Sequence, residues 1–247
     1  MVGKTKKLSI AFYWHFYQPV YRINNSDDYI MPWSRLHAVK DYLSMLLLVK
    51  NARHIKANIN ISPTLLEDFI NYGENEAHDI HSRLTVKNVE LLNDEEKQFI
   101  LDNFFDVNFE NFIAPNRRYA ELAQKVQNGE GDFSLQDYSD LMAIFNLVWV
   151  NPIHYKKYPD LKKLVDKGEN YTQEDREKII QVQREIIKDI IPEMKKLAKS
   201  GKIELTTNPY YHPVLPILLD IKDAVSADMS DLPSETGMTN SAKIQIT

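Results

Sequence analysis

The sequence lacks cysteine, long apolar runs and clusters of basic residues, and each absence excludes a class of protein. Without cysteine, the chain has no disulfides, zinc ribbons or thiol catalysis, which is compatible with the cytoplasmic location that we expect. No apolar run approaches ~20 residues, so we expect no membrane span and no membrane partner. The 30 basic and 35 acidic residues give a net charge of -5. This mild acidity argues against nucleic acid as a partner and favours a neutral, sugar-like ligand.

Three segments have the pattern of β-strands. They are "KLSIAFYWHF" (7–16), "IKANINIS" (55–62) and "IELTT" (203–207). The first is apolar on both faces and is bounded by Pro19, which predicts a fully buried strand. Helical segments follow the first two strands, and the order strand, helix, strand, helix is typical of an α/β fold with a parallel sheet.

The helices have readable start and stop signals. We expect one helix from about Arg35 to Lys50, with Ser34 as its cap. A shorter helix is expected after Ser62, with proline at its first position and Gly73 just past its end. Further helix starts are predicted at Asn93, Pro115, Ser134 and Thr172. A last helix should kink near Pro192 and stop at Gly201.

Residues 74–200 are therefore expected to form a helical insertion between the second and third strands. No linker composition sets this block apart from its flanks. We interpret residues 1–247 as one domain, a partial (β/α) barrel that carries this insertion at about 74–200.

Polar residues occur where each predicted strand ends, which is where ligands gather in parallel sheets. The candidates are His15, Tyr17 and Gln18 after the first strand, Asn60 and Ser62 on the second, Glu204, Asn208, Tyr211 and His212 on and after the third, and Trp33, Arg35 and His37 in the segment that follows the first strand. Each residue alone has a structural interpretation, since a single histidine at a strand end is more often structural than catalytic. Their convergence at several strand ends favours a site.

Two chemistries suit such a site. Glycoside hydrolysis needs two carboxylates about 5 to 9 Å apart, together with aromatic platforms and polar side chains that hold sugar rings. Metal-assisted hydrolysis would use His15, His37, His212 and a carboxylate as zinc ligands. Tyr17 occupies the position where a second histidine on the same strand face would favour the metal, and tyrosine is an uncommon zinc ligand.

Five segments, in this order along the chain, carry a resemblance to a known family: "WHFYQP", "PWSRLHAVKDY", "NISPTLLEDF", "FSLQDYSDLMAIFNLVWVNP" and "GKIELTTNPYYHPVLPILLD". They resemble the N-terminal half of the catalytic domain of glycoside hydrolase family 57, over essentially the whole chain. The resemblance implies an incomplete (β/α)7 barrel, a TIM-like fold, and a retaining enzyme of the α-amylase or amylopullulanase type. The expected partner is an α-glucan or maltooligosaccharide, and no metal or organic cofactor is implied.

The resemblance assigns roles to individual positions. His15 and Gln18 match the family's first motif, His-x-His-Gln-Pro, and Glu204 ends the second motif, Gly-Gln-(Ile/Val/Leu)-Glu. In the family these positions shape the substrate site and are not the nucleophile. Tyr17 replaces a histidine of the first motif, and Lys202 replaces the glutamine of the second. Tyrosine still hydrogen-bonds a sugar hydroxyl, but it cannot become a cation near neutral pH.

The resemblance also implies that the nucleophilic Glu and the acid/base Asp lie beyond Thr247. We therefore expect a chain that is truncated before the barrel closes and is inactive alone, with its catalytic residues unknown. The residues expected to line one sugar cleft are His15, Tyr17, Gln18, Trp33, Arg35, His37, Glu204 and His212. Two alternatives are a metal-dependent carbohydrate hydrolase or deacetylase on a related barrel, and a non-catalytic glucan-binding protein.

Overall fold

A computed structural model describes residues 8–22, 28–129, 133–219 and 238–246. In chain order, the strands and α-helices of these residues are β1 (Tyr13–Phe16), β2 (Asp28–Tyr29), α1 (Trp33–His37), α2 (Leu43–Asn51), β3 (Ala57–Ile61), α3 (Pro63–Gly73), β4 (His78–Asp79), α4 (Ile80–Val86), α5 (Asp94–Asn103), α6 (Arg117–Asn128), α7 (Leu135–Val148), α8 (Pro159–Lys167), α9 (Gln173–Lys188), α10 (Ile190–Lys199), β5 (Ile203–Thr207), α11 (Leu215–Leu219) and α12 (Thr239–Ile244). In this part of the chain, no helix combines the length and the apolar character that crossing a bilayer requires.

The chain divides into two compact units, which are described separately. The sheet unit consists of the described residues within Met1–Val20, Val49–Glu67 and Lys195–Thr247. The helical unit consists of those within Tyr21–Leu48 and Asp68–Met194. The assignment of residues 1–247 to one barrel domain stays a prediction.

The sheet unit is built on three parallel strands in the order β1-β3-β5. This arrangement confirms the predicted parallel sheet, and β3 and β5 lie within the two segments predicted for them. The central strand β3 is largely buried because it has a neighbour on each side. The prediction of a fully buried first strand is wrong. As an edge strand of this sheet β1 buries only Phe16, and Tyr13 is 61% exposed.

The start of α3 follows its sequence signals. Ser62 Oγ accepts a hydrogen bond from the backbone N–H of Leu65 at 3.3 Å, and Pro63 takes the first helical position, where its missing N–H costs nothing. The prediction of Ser34 as the helix cap is wrong, because α1 already begins at Trp33 and has no side-chain cap. The buried Ser34 hydroxyl instead donates to Asp68 Oδ2 at 2.6 Å.

The helical unit contains most of the predicted insertion. Capping boxes at Asn93, Ser134 and Thr172 start α5, α7 and α9, as predicted. The helix expected at Pro115 begins slightly later, because the side chain of Asn116 accepts from the N–H of Tyr119 at 3.0 Å. Two π-helical segments, Ala38–Tyr42 and Phe109–Ile113, were not predicted. The first of them interrupts the long helix expected from about residue 35 to residue 50.

The predicted kink and stop near the third strand are both present. The helix breaks at Asp189, between α9 and α10, three residues before Pro192, as expected from the clash of a proline ring with the preceding turn. After α10, Gly201 adopts φ +67°. The N–H groups of Gly201 and Lys202 donate to the carbonyls of Ala198 and Leu197. This is a Schellman motif, which ends the helix and directs the chain into β5.

Candidate functional site

The register of the sheet unit brings the motif residues of β1 and β5 to one face. His15 pairs with Asn60 of β3, which pairs with Thr206 of β5. Two residues earlier along each strand, a second row is formed by Tyr13, Asn58 and Glu204. Because side chains alternate between faces along a strand and paired residues of parallel strands share a face, both rows lie on the same face.

A hydrogen-bond network links the row that contains His15. The Nδ1 atom of His15 lies 2.7 Å from Asn60 Oδ1. Asn60 Nδ2 donates to Thr206 Oγ1 at 3.1 Å, and Asn208 Nδ2 donates to Asn60 Oδ1 at 2.9 Å. The hydroxyl of Tyr13 lies 3.3 Å from Thr206 Oγ1. The network joins all three strands at the end where the loops begin.

Three aromatic rings meet beside this network. The ring of Tyr17 stacks on His15 with centroids 5.6 Å apart and an interplanar angle of 13°. His212 approaches both rings, with centroids 4.8 Å from His15 and 4.9 Å from Tyr17. Gln18 follows Tyr17 and is half-buried. The structure therefore places His15 and Tyr17 of the first motif together with His212 of the loop after β5, at the carboxyl end of the sheet.

The backbone of His212 is unusual. His212 has φ +58°, in the left-handed region that few residues other than glycine adopt. Its N–H donates to the carbonyl of Pro209 at 2.8 Å, which closes a tight turn. Non-glycine residues in this region concentrate at functional sites, where the surrounding structure holds them. The turn places the exposed His212 ring against His15.

Glu204 lies on the same face as His15, one row earlier and two strands away. Neighbouring strands are about 4.8 Å apart and residues rise about 3.3 Å along a strand, so the two Cα atoms are roughly 12 Å apart. The Glu204 side chain is exposed. A carboxylate and an imidazole at this separation can contact opposite sides of one sugar residue.

The helical unit holds a second group of predicted residues. The ring of Trp33 lies 5.9 Å from that of Trp149, and the ring of His37 meets Trp149 edge-on at 5.4 Å. Lys40 Nζ lies 5.0 Å from the Trp149 ring and 4.6 Å from that of Phe112, which stacks on Trp149. Lys40 and Phe112 belong to the two π-helical segments, and such segments are frequent at functional sites.

Arg35, by contrast, is not available to a ligand. Its side chain is 1% exposed, and Nε and Nη2 bind the carboxylate of Asp79 at 2.6 and 3.1 Å. Nη1 donates to Asn146 at 2.8 Å and to Gln183. The position of Arg35 therefore does not support its predicted contact with sugar, because its guanidinium N–H groups form hydrogen bonds that connect α1 to β4, α7 and α9.

The charge state of this buried pair follows from its surroundings. Burial alone raises the pKa of Asp79, but the charge and hydrogen bonds of Arg35 outweigh burial and lower the pKa to about 2. Nearby, burial among three phenylalanine rings lowers the pKa of His81 to about 4. The helical unit thus keeps Asp79 ionised and His81 neutral at physiological pH.

Several members of these clusters were not assigned from the sequence. Asn60 and Asn208 lie at the ends of predicted strands, but the sequence assigns them no role, and no sequence pattern marks Tyr13 or Thr206. Trp149 and Phe112 lie far from Trp33 along the chain, so no local pattern connects them. The expectation that His15, the segment from Trp33 to His37 and Glu204 share one pocket stays a prediction, because these residues belong to different units.

Cavities of the helical unit and possible metal ligands are the remaining features that bear on a site. Three cavities of about 530, 550 and 520 Å³ are lined by residues of the helical unit, and His15 lines none of these three. Among residues 8–22, 28–129, 133–219 and 238–246, no group of three histidine, aspartate or glutamate side chains is arranged to hold a metal ion. No observation in this part of the chain favours the metal-dependent alternative.

Comparison with known proteins identifies the family. A search of curated proteins and a search of solved structures each gave no match. The model of glycosyl hydrolase family 57 matches residues 11–234. This span covers most of the chain and includes the networked row of His15, the aromatic cluster and Glu204. The protein belongs to glycosyl hydrolase family 57 and is a carbohydrate-active glycoside hydrolase by family.

Proposed function

We propose that this protein binds α-glucans, as part of a retaining glycoside hydrolase of the α-amylase or amylopullulanase type. The three-stranded sheet would form part of a (β/α)7 barrel, as the family implies. The absence of cysteine is compatible with the cytoplasm, which is the location we propose. One observation supports the proposal most strongly: His15 of the first motif and Glu204 of the second motif lie on the same face of the sheet.

The surface around His15 has the chemistry that sugar rings require. The stacked rings of Tyr17 and His15 present an aromatic surface, and sugar rings pack their apolar faces on such surfaces. The imidazole supplies a hydrogen-bonding group at the edge of that surface, and the Glu204 carboxylate supplies another on the same sheet face, with its Cα roughly 12 Å from that of His15. All of these groups are charged or polar without forming a basic patch, which favours a neutral polyhydroxylated ligand over a phosphate.

Within the helical unit, Trp33 and His37 are proposed to contact sugar. Trp33 is half-buried, and its neighbour Trp149 fixes one side of its ring. His37 Nδ1 lies 2.8 Å from the carboxylate of Asp41, which orients the imidazole. Arg35 is left out of the proposed binding set because its donors are already used inside the unit. The residues proposed here bind substrate, and none is proposed as the nucleophile or as the acid/base.

The chemistry of the complete reaction sets what these residues must do. Retaining hydrolysis uses a carboxylate nucleophile and a carboxylic acid that protonates the leaving oxygen, about 5 Å apart. Residues such as His15 and Glu204 then act by positioning the sugar ring and by hydrogen bonds that strengthen in the transition state. Their loss should lower affinity for the glucan and should not unfold the protein, because both side chains are exposed.

Isothermal titration calorimetry with maltoheptaose tests the proposal, and cellohexaose serves as the β-linked control. We expect maltoheptaose to bind and cellohexaose to bind far more weakly. The His15→Ala variant should bind maltoheptaose about tenfold more weakly, because it loses a hydrogen bond and a stacking partner. The matched control is His54→Ala, since His54 is also exposed in the sheet unit but precedes β3, at the opposite end of the sheet.

Two results would overturn the proposal. One is equal affinity for the two sugars, which would remove the α-glucan assignment. The other is unchanged maltoheptaose affinity in His15→Ala, which would move the binding surface away from the carboxyl end of the sheet.

A further inference from the structure

Asn60 occupies a central place in the network of the sheet unit. It lies on the middle strand, is 6% exposed, and contacts side chains of the strands on both sides. Its Oδ1 atom faces His15 Nδ1 at 2.7 Å and also accepts from Asn208 at 2.9 Å. Its Nδ2 atom donates to Thr206. Both ends of the amide are therefore engaged.

This arrangement determines which nitrogen of His15 carries the proton. An amide oxygen only accepts hydrogen bonds, so the nitrogen that faces Asn60 Oδ1 must be the donor. A neutral imidazole has one N–H and one lone pair, and the partner of the first nitrogen decides the role of the second. With Nδ1 protonated, the Nε2 atom of neutral His15 is an acceptor.

The neighbouring rings hold the imidazole in this orientation. Tyr17 stacks on one face of His15, and His212 meets the imidazole at 62°. The residue nevertheless stays exposed. Because Asn60 is neutral, it selects a tautomer without adding a charge beside the ring. Its effect differs from that of a carboxylate, which would favour the imidazolium form.

We infer that Asn60 is a positioning residue that holds His15 in the Nδ1–H tautomer, so that Nε2 accepts a hydrogen bond from a glucan hydroxyl. The inference about the ligand rests on the proposed function. The inference about the tautomer does not, because it concerns the free protein. In this arrangement the neutral imidazole acts as an acceptor toward sugar, and a hydroxyl group of the glucan is the donor.

Nitrogen-15 NMR of the histidine rings, recorded on the free protein in alkaline buffer, tests the tautomer directly. Long-range proton–nitrogen correlations distinguish a protonated from an unprotonated ring nitrogen. We expect Nδ1 of His15 to show the protonated shift and Nε2 the unprotonated shift. The opposite assignment in the wild-type protein would overturn the inference, and this result needs no variant.

Two substitutions at Asn60 separate positioning from folding. Asn60→Leu removes the acceptor, so we expect the Nδ1–H tautomer of His15 to be no longer dominant. Maltoheptaose affinity should also fall about five- to tenfold, which is the loss expected for one hydrogen bond. Asn60→Asp keeps an acceptor beside Nδ1, so it should keep the Nδ1–H tautomer. The matched control is Asn58→Leu, the same change on the same face one row earlier.

The outcomes distinguish this inference from the proposed function. A dominant Nδ1–H signal that persists in Asn60→Leu would contradict the role of Asn60, whatever the glucan affinity. If the tautomer depends on Asn60 but maltoheptaose does not bind to the wild-type protein, the positioning role stands and the α-glucan assignment fails. An equal loss of affinity in Asn58→Leu would show a general effect of the substitution and would also count against Asn60.

Discussion

The two units use polar side chains in opposite ways. In the sheet unit, His15, Tyr13 and Glu204 are exposed, and the hydrogen bonds of His15 and Tyr13 leave part of each side chain open to solvent. In the helical unit, Arg35 and Asp79 are almost fully buried and bind each other. Burial therefore separates residues that can contact a substrate from residues that stabilise the fold, although both groups lie within the span that matches the family.

The largest effect should come from breaking the buried pair of the helical unit. Arg35→Met leaves the Asp79 carboxylate buried without its cation, and removing one partner of a buried pair typically costs about 3 to 5 kcal/mol. We expect a loss of this size in the free energy of unfolding, measured with urea. A double variant, Arg35→Met with Asp79→Leu, should recover part of the loss because no charge is then left unpaired.

An exposed ion pair gives the matched control for this experiment. Arg83 and Asp28 also form a salt bridge in the helical unit, but both side chains are about half exposed. Exposed pairs contribute little because water and salt screen them. Arg83→Met should therefore leave the urea midpoint nearly unchanged. A loss as large as that of Arg35→Met would contradict the contrast between buried and exposed charges.

The next effect is on the pH dependence of stability. The pKa of His81 is about 4 in the folded protein, against an ordinary value of 6.5, because burial disfavours the imidazolium. Between these values the unfolded chain binds a proton that the folded protein does not. The free energy of unfolding therefore falls as the pH is lowered from 6.5 to 4, by roughly 3 kcal/mol from this residue.

His81→Phe tests this pH dependence, since the site is already surrounded by phenylalanine rings. The variant should lose less stability between pH 6.5 and pH 4 than the wild-type protein, in urea unfolding at each pH. His154 has a similarly lowered pKa and should account for part of the remaining slope. An unchanged slope in His81→Phe would mean that His81 is not neutral in the folded protein. The exposed His54→Phe is the control.

A smaller effect is expected at the exposed carboxylate of the sheet unit. Glu204→Gln keeps the size of the side chain but removes its charge, and a hydrogen bond to a charged group typically contributes about 1.5 to 3 kcal/mol. Maltoheptaose affinity should fall at least about tenfold, with a nearly unchanged melting temperature. Wild-type affinity in this variant would make Glu204 a scaffold residue, contrary to its resemblance to the second motif.

The smallest effect concerns the turn at His212. His212→Asn removes the ring but retains a residue type that tolerates positive φ. Stability should stay within about 0.5 kcal/mol of the wild-type value, while maltoheptaose affinity falls a few-fold through loss of the ring contacts with His15 and Tyr17. If the melting temperature falls sharply and affinity does not, the His212 ring serves the fold and not the ligand.

The sequence predicted local structure well where a single element carries its own signals. The capping boxes at Ser134 and Thr172, the break before Pro192 and the stop at Gly201 all depend on residues within one turn of the helix end. The parallel sheet was predictable from the order of the elements alone. The exposure of β1 was not, because it depends on the position of the strand in the sheet.

The site was predictable in part, for the same reason. His15 and Glu204 lie in recognisable segments, and period-2 alternation correctly placed His15 and Tyr17 on one side of the strand. Three contacts could not be read from a linear pattern: Arg35 with Asp79, His15 with Asn60, and Trp33 with Trp149. Each joins residues at least 44 positions apart.

The most direct test of the central claim is a maltoheptaose titration of the nitrogen-15-labelled protein, followed through the imidazole signals of His15. We predict a saturable shift of the His15 Nε2 resonance with maltoheptaose and no such shift with cellohexaose. Saturable binding of maltoheptaose that leaves the His15 ring signals unmoved would contradict the assignment of the glucan site to this face of the sheet.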